Sequence, residues 1–311
     1  MVALLLVLII PAMTSAQGAG WPSAQLLTDV PIRPVALAVA QARRRAPIPK
    51  SLRPGSASPV GSNCLPSFGP GTKFNICSLG DARSRHLVVL LGDSHAAMWI
   101  PGFVTAATEL DVRLVPLAKP GCAMWALHAN RHGWPCLTWW REALAAIRRL
   151  HPSATVVSFM TGNYKVAQAN VAANEVQSVL QAVPHPIVLA DPPSDEWYVN
   201  KLPSPEQCMS SRGANIGRCA LHVTPDMTAS LTQIQSMLDR DGYPAIPTLQ
   251  WFCAEGICPT VIDRTVTTED GNHITPQYAQ LLGTRLAGRL GPILKQLWSG
   301  GAPTPATTSA S

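Results

Sequence analysis

"VVLLGDSHAAMW", Val88 to Trp99, decides how the chain is read. With His86 and Leu87 ahead of it, the apolar run is short, unbroken and rich in Val and Leu. That is the pattern of a parallel strand covered on both faces. The run ends in Gly92-Asp93-Ser94-His95, with the small residues Ala96 and Ala97 behind them. A strand that ends this way either makes an ordinary polar turn or holds a serine out to react.

Outward from this strand, strand and helix signals alternate. "SHAAMWIPGFVTAATEL" suits a helix despite Pro101, and "VRLVPLA" a second strand. "LTWWREALAAIRRLHP" is an amphipathic helix ending at Pro152, followed by a strand at "ATVVSFM". A helix at "VAQANVAANEVQSVLQAV", a strand at "PIVLAD", a helix at "TPDMTASLTQIQSMLDRDG" and a strand at "YPAIPTL" continue the series. A long helix, "TPQYAQLLGTRLAGRLGPILKQLW", closes it. Strands separated by helical crossovers predict an α/β fold, a three-layer α/β/α sandwich with a mainly parallel sheet. Ligands of such sheets bind beyond the carboxyl ends of the strands. Gly92-Asp93-Ser94, Gly121 and Thr161-Gly162-Asn163 all fall at such ends.

The 311 residues carry a net charge of +6, but Lys and Arg are scattered. No basic stripe is interleaved with aromatic residues, which argues against a nucleic-acid partner. The densest run, Arg43-Arg44-Arg45 with Lys50 and Arg53 after it, suits either an anionic envelope surface or a solvated linker. Residues 1–16 read as a signal peptide, or as the trailing part of a membrane helix. Residues 17–60 read as a Pro/Ser-rich linker with one short helix, Val35 to Arg45. The catalytic domain is expected over 61–298, and a low-complexity tail over 299–311.

Eight cysteines agree with an extracytoplasmic location, secreted or tethered to the outer face of the membrane. Cys64, Cys77, Cys122, Cys136, Cys208, Cys219, Cys253 and Cys258 form four sequential neighbours, yet eight cysteines allow roughly a hundred pairings. None has the spacing of a zinc site, so disulfides are expected and no metal or cofactor is.

A serine hydroxyl needs a base to take its proton and an acid to orient that base. His95 is adjacent to Ser94, and adjacent residues leaving a strand point apart. "TTEDGNHITPQY" offers a better pair: Asp270 and His273, three apart on a turn before the last helix. The expected triad is therefore Ser94, His273 and Asp270, with the reservation that an acid before a helix is often only a cap. Oxyanion donors are expected from the Ser94 N–H, the Gly121 N–H and the Asn163 side chain, one from each strand end. Asp93 is expected to hold the turn, and His95 to cap or pack beneath the site.

These blocks resemble the SGNH-type domain of bacterial acyltransferase 3 proteins. "LLGDSHAAMWIPGF" is similar to that subgroup's Gly-Asp-Ser-His-Ala block, and "DGNHITPQYAQLLG" to its Asp-x-x-His block. "CSLGD", "LAKPGC", "CLTWWREAL" and "CAEGICP" match in kind and order, so the resemblance runs from about Cys64 to Leu297. It implies metal-free ester chemistry by the Ser94–His273–Asp270 triad. The implied reaction is transfer of an acyl group, commonly acetyl, to a cell-envelope glycan. The esterase of the same fold and a non-catalytic glycan-binding module are the alternatives. The sequence shows no membrane module, so the acyl donor is expected to come from a separate one. Trp125 and Trp134, between Cys122 and Cys136, are candidates to line a glycan groove, against ordinary packing. Asp191 lies on the same rim, to touch substrate or to cap a loop.

Overall fold

The computed structural model describes residues 31–52, 64–65, 68–124, 133–161, 166–193 and 204–300. A first helix, α1 (Arg33–Arg43), precedes a short strand, β1 (Leu79–Gly80). Then follow β2 (Leu87–Gly92), α2 (Ser94–Ala97), α3 (Ile100–Glu109) and β3 (Arg113–Ala118). The alternation continues through α4 (Cys136–Leu150), β4 (Ala154–Ser158), α5 (Val166–Ala182) and β5 (Pro186–Leu189). Next come α6 (Pro205–Ser210), β6 (Leu221–His222), α7 (Pro225–Asp241) and β7 (Ala245–Ile246). Three short strands, β8 (Ile257–Cys258), β9 (Val261–Ile262) and β10 (Thr265–Val266), lead into α8 (Pro276–Leu281) and α9 (Gly283–Trp298).

The central sheet has the order β1-β3-β2-β4-β5-β7. All neighbours are parallel except the edge strand β1, which runs antiparallel to β3. Every residue of β2 and of β4 is buried, as an unbroken apolar run requires. Alternate β2 residues face opposite layers. Val88 and Leu90 pack with α1, α3, α8 and α9, while Leu87, Val89 and Leu91 pack with α4, α5 and α7. Each such side chain contributes roughly 1.5–3 kcal/mol by leaving water. The expected three-layer α/β sandwich is therefore the fold. The chain leaves β2 for β3 on one side and returns to β4 on the other, so strand order reverses at β2. Such a reversal point is where ligands of parallel sheets bind, beyond the carboxyl ends of the strands.

Several boundaries differ from the sequence reading. The helix expected over 94–110 is two, broken at Met98 and Trp99. Pro101 lacks an N–H and fits only the first turn of a helix, so α3 starts just before it. The closing helix also divides, at Leu282. A Cβ on Gly283 would sit 2.4 Å from Thr105 Cβ and 3.0 Å from Gly102 O, so α9 crosses α3 with backbone nearly in contact.

The linker assignment for 17–60 is corrected over part of its length. Val35, Ala38, Val39 and Ala42 are buried at helical spacing, and α1 packs into the main core. Ile32 N–H donates to Gln250 O (3.2 Å) and Ile216 N–H to Ala46 O (2.9 Å), so this segment belongs to the domain. The expected segment 1–16 and most of the tail at 299–311 lie outside the described residues. Among the described residues no helix is long and apolar enough to cross a membrane.

The cysteines pair in sequence order: Cys64–Cys77, Cys122–Cys136, Cys208–Cys219 and Cys253–Cys258. Each bridge closes a short loop, at separations of 13, 14, 11 and 5 residues.

Candidate active site

Gly92 ends β2 where no side chain fits: a Cβ there would lie 1.8 Å from Ser158 O on β4. The chain then turns at Asp93, the N-cap of α2, whose Oδ1 accepts the His95 N–H (2.8 Å). Asp93 Oδ2 accepts the Met160 N–H (3.2 Å), which ties the turn to the end of β4. Burial is the main influence on Asp93, and it raises the carboxyl's pKa despite these donors. Ser94 is thus the first residue of a helical turn at the reversal point of the sheet. Among the described residues its N–H donates to no protein acceptor.

The second half of the site comes from the loop before α8. Asp270 Oδ1 accepts the backbone N–H groups of Asn272 (2.9 Å) and His273 (2.8 Å), while Oδ2 lies 2.8 Å from His273 Nδ1. One carboxylate therefore fixes both the loop and the ring. Burial works against its charge, but the His273 ring and the two N–H donors prevail and hold the carboxyl at about 2. His273 Nε2 is buried and has no hydrogen-bond partner among the described residues. Thr275 caps α8 through Tyr278 N–H (3.2 Å) and donates to Val266 O (2.6 Å), which sets the height of the loop. Ile274 N–H reaches Met98 Sδ (3.4 Å), joining this loop to the helical turn that begins at Ser94. Among the described residues no hydrogen bond joins Ser94 to His273, so of the expected triad the structure shows the Asp270–His273 contact alone.

A second Asp–His pair lies beneath. His95 is fully buried, with Nδ1 2.5 Å from Asp191 Oδ1. Asp191 Oδ2 accepts both the N–H (2.7 Å) and the hydroxyl (3.1 Å) of Thr161. The placement of Asp191 in a substrate groove is corrected accordingly. It is 3 % exposed and its carboxylate is committed to His95 and Thr161. The His95 and His273 ring centroids are 5.2 Å apart, tilted by 55°. Burial disfavours a charged His95, yet Asp191, Asp93 and Asp270 outweigh it and push its pKa up to about 9. The pairing of His95 with Asp191 was not legible in the sequence. Ninety-six positions separate the two residues, and only the sheet order brings the ends of β2 and β5 together.

On the β3 side, Lys119 N–H donates to Gly92 O (3.0 Å), and Gly121 follows in a left-handed conformation, φ +81°. A Cβ at 121 would sit 2.3 Å from the Trp134 ring, so glycine is required for this approach. Among the described residues the Gly121 N–H also has no protein acceptor. Trp134 meets Phe68 edge-to-face (4.7 Å), with Lys119 Nζ 5.6 Å from its centroid. Lys119, another residue missed in the sequence, is buried and donates to Gly69 O (2.7 Å). Trp140 Nε1–H donates to Cys122 O (3.2 Å), and with the Cys122–Cys136 bridge it frames the loop carrying Trp134. Asn163 and Trp125 lie outside the described residues. Among those described, no cluster of His, Cys, Asp and Glu suits a metal.

Fold and geometry define an α/β domain with a Ser–turn and an Asp–His pair at the switch point of a parallel sheet. The family model for the SGNH domain fused to AT3 domains matches residues 63–288, and the chain belongs to that family. Two solved structures align over most of their length. The periplasmic domain of a lipopolysaccharide acetyltransferase from Salmonella ser. Paratyphi A is 14% identical, with TM-score 0.48 over 68% of this chain and 85% of its own. A GDSL-like lipase from Parabacteroides merdae ATCC 43184 is 10% identical, with TM-score 0.39 over 70% and 99%. No curated protein is significantly similar in sequence. Membership of the family supports acyl transfer or ester hydrolysis in general.

Proposed function

We propose that the domain transfers an O-acyl group, acetyl in the first instance, to a hydroxyl of a cell-envelope glycan through an acyl-enzyme on Ser94. The observation that carries this reading is the Asp270–His273 pair. Its outward nitrogen is buried and has no partner among the described residues, and its loop is tied through Ile274 and Met98 to the turn of Ser94. In the reaction His273 Nε2 takes the proton of Ser94 Oγ as that oxygen bonds to the ester carbonyl carbon. The tetrahedral intermediate collapses, the proton passes to the leaving alkoxide, and the acyl group stays on Ser94. A sugar hydroxyl then attacks, again deprotonated by His273, and free Ser94 returns. Water in place of the sugar gives hydrolysis by the same steps.

Oxyanion donors in this reading are the N–H groups of Ser94 and Gly121, with Asn163 a third candidate. The aromatic pair Phe68–Trp134 beside Gly121 suits the face of a sugar ring. Four disulfides fit an oxidising compartment outside the cytoplasm, and the acyl donor would reach Ser94 from a membrane acyltransferase module.

The test is hydrolysis of p-nitrophenyl acetate by the purified chain beside Ser94→Ala, with mass spectrometry of the quenched protein. We expect an acetyl adduct on the Ser94 peptide and loss of turnover in the variant. Turnover retained in Ser94→Ala would remove Ser94 from the mechanism. Addition of envelope glycan fragments then measures transfer against hydrolysis.

A further inference from the structure

We infer that Phe68 selects the acceptor at this site, as an aromatic platform for a pyranose ring, and that the buried Lys119 is its positioning residue. The inference rests on the acyl-transfer reading above and gives the acceptor side of the site to the loop that Cys64–Cys77 closes.

Within that loop the described residues form no helix or strand, so other contacts hold its shape. Cys64 and Leu65 pack against the layer of α1, α3, α8 and α9. Phe74 packs against the opposite layer, its ring 6.2 Å from that of Trp139 on α4. Between these ends, Gly69 O accepts a hydrogen bond from the Lys119 ammonium (2.7 Å), and Phe68 meets Trp134 edge-to-face. A Cβ at Gly121 would lie 2.3 Å from the Trp134 ring and 3.0 Å from Phe68 Cε2, so both rings close over one glycine. The nucleophile's turn is adjacent: Lys119 N–H donates to Gly92 O, two positions before Ser94.

The two side chains are placed against their chemistry. A buried ammonium is costly without compensation, and Lys119 is 1 % exposed. The Gly69 carbonyl and the Trp134 ring offset that cost. Phe68, an apolar ring, is 71 % exposed. A buried cation thus fixes a ring that the fold leaves in water beside the nucleophile's turn. Burial does not account for the position of that ring; a ligand with an apolar face does. The C–H face of a pyranose packs on such a ring, whereas water and short alcohols gain nothing from it. A sugar held there offers a hydroxyl to acyl-Ser94. Its oxygen bonds to the acyl carbon as the bond from that carbon to Ser94 Oγ breaks. Its proton passes to His273 Nε2 and on to Ser94 Oγ. Phe68 therefore favours transfer to a sugar over loss of the acyl group to water.

The experiment uses the full chain, p-nitrophenyl acetate as donor, and two acceptors: methanol and a β-linked N-acetylglucosamine trisaccharide. Mass spectrometry follows acetyl on Ser94, on the trisaccharide and on methanol. At equal concentration the wild type should acetylate the trisaccharide at least about tenfold faster than methanol. Phe68→Ala and Lys119→Met should each lower that preference about tenfold, through the trisaccharide KM, and Phe68→Trp should keep it. Because Lys119 acts through Phe68, the double variant should be no worse than Phe68→Ala alone. If Lys119→Met does not fold, Lys119→Gln is read in the same way. An unchanged preference in folded Phe68→Ala, with Ser94 acetylated, overturns the role of Phe68 and leaves the acyl chemistry standing. Losses that add in the double variant overturn the role of Lys119. A wild type that acetylates the trisaccharide no faster than methanol is also contrary to the proposal. Absence of acetyl on Ser94 overturns the acyl-transfer reading, and the inference falls with it.

Discussion

Asp270 shows how much one side chain decides here. It accepts two backbone N–H bonds and the His273 ring at once, so its loss changes both the loop and the tautomer of the base. Asp270→Asn should lower kcat/KM on an activated acetyl ester by about 10,000-fold. Its depressed pKa also makes a stability prediction. A carboxyl held at about 2 contributes stability that is complete above pH about 4 and fades as pH falls toward 2. Urea midpoints of wild type and Asp270→Asn should therefore converge across that window. His95 has the opposite sign. Its raised pKa gives stability that is complete below pH about 6.5 and is lost as pH rises through about 9. Thermal midpoints should fall over that range in the wild type and fall less steeply in Asp191→Asn. For the rim, Trp134→Ala should raise KM for a glycan acceptor while leaving turnover of a small ester within about twofold.

At the scale of elements, close backbone approaches hold the site in place. β2 and β4 meet at Gly92, and α3 meets α8 and α9 at Gly102 and Gly283. A Cβ on Gly102 would lie 2.5 Å from Ala279 O, only six residues beyond His273. Gly102→Ala should destabilise the protein by about 1–3 kcal/mol, measured by urea unfolding, and lower activity as the His273 loop shifts. Gly92→Ala should be worse, because the 1.8 Å contact is to backbone and the strands must part at the nucleophile. The helix breaks at Met98 and at Leu282 belong to the same design. α2 begins with Ser94, and α8 follows directly on the loop that carries Asp270 and His273.

Over the whole molecule, four local bridges compensate for long irregular stretches between elements. Their loops imply roughly 2–3 kcal/mol each by chain entropy, a sum comparable with the total stability of a domain. Reduction should therefore unfold the domain or shift its urea midpoint strongly downward, as circular dichroism with and without a thiol would show. The helix α1 is equally part of the whole. A protein trimmed to begin at residue 60 would expose the core surface that Val35, Ala38, Val39 and Ala42 cover, and should be less stable than one beginning at residue 31.

The alternation from β2 to β7, the closing helical segment and the parallel sheet were legible in the residues, as were the Ser94 turn and the Asp270–His273 pair. Each depends on local patterning: an apolar run, a helical spacing, or a turn with an acid three positions from a histidine. The helix at 33–43 was visible but its burial was not, since a Pro-rich neighbourhood says nothing about what a helix packs against. The sequential pairing of the cysteines was one choice among many until the loops were placed. Asp191 read as a rim residue because it ends a strand. Only the order β2-β4-β5 turns its carboxylate under the rim, onto His95. The sequence by itself determined which groups reach the carboxyl edge of the sheet, because that follows from local periodicity. Which of them meet there, and which carry charge in the dark beneath the nucleophile, was decided by tertiary structure, because burial and distance belong to residues far apart in the chain.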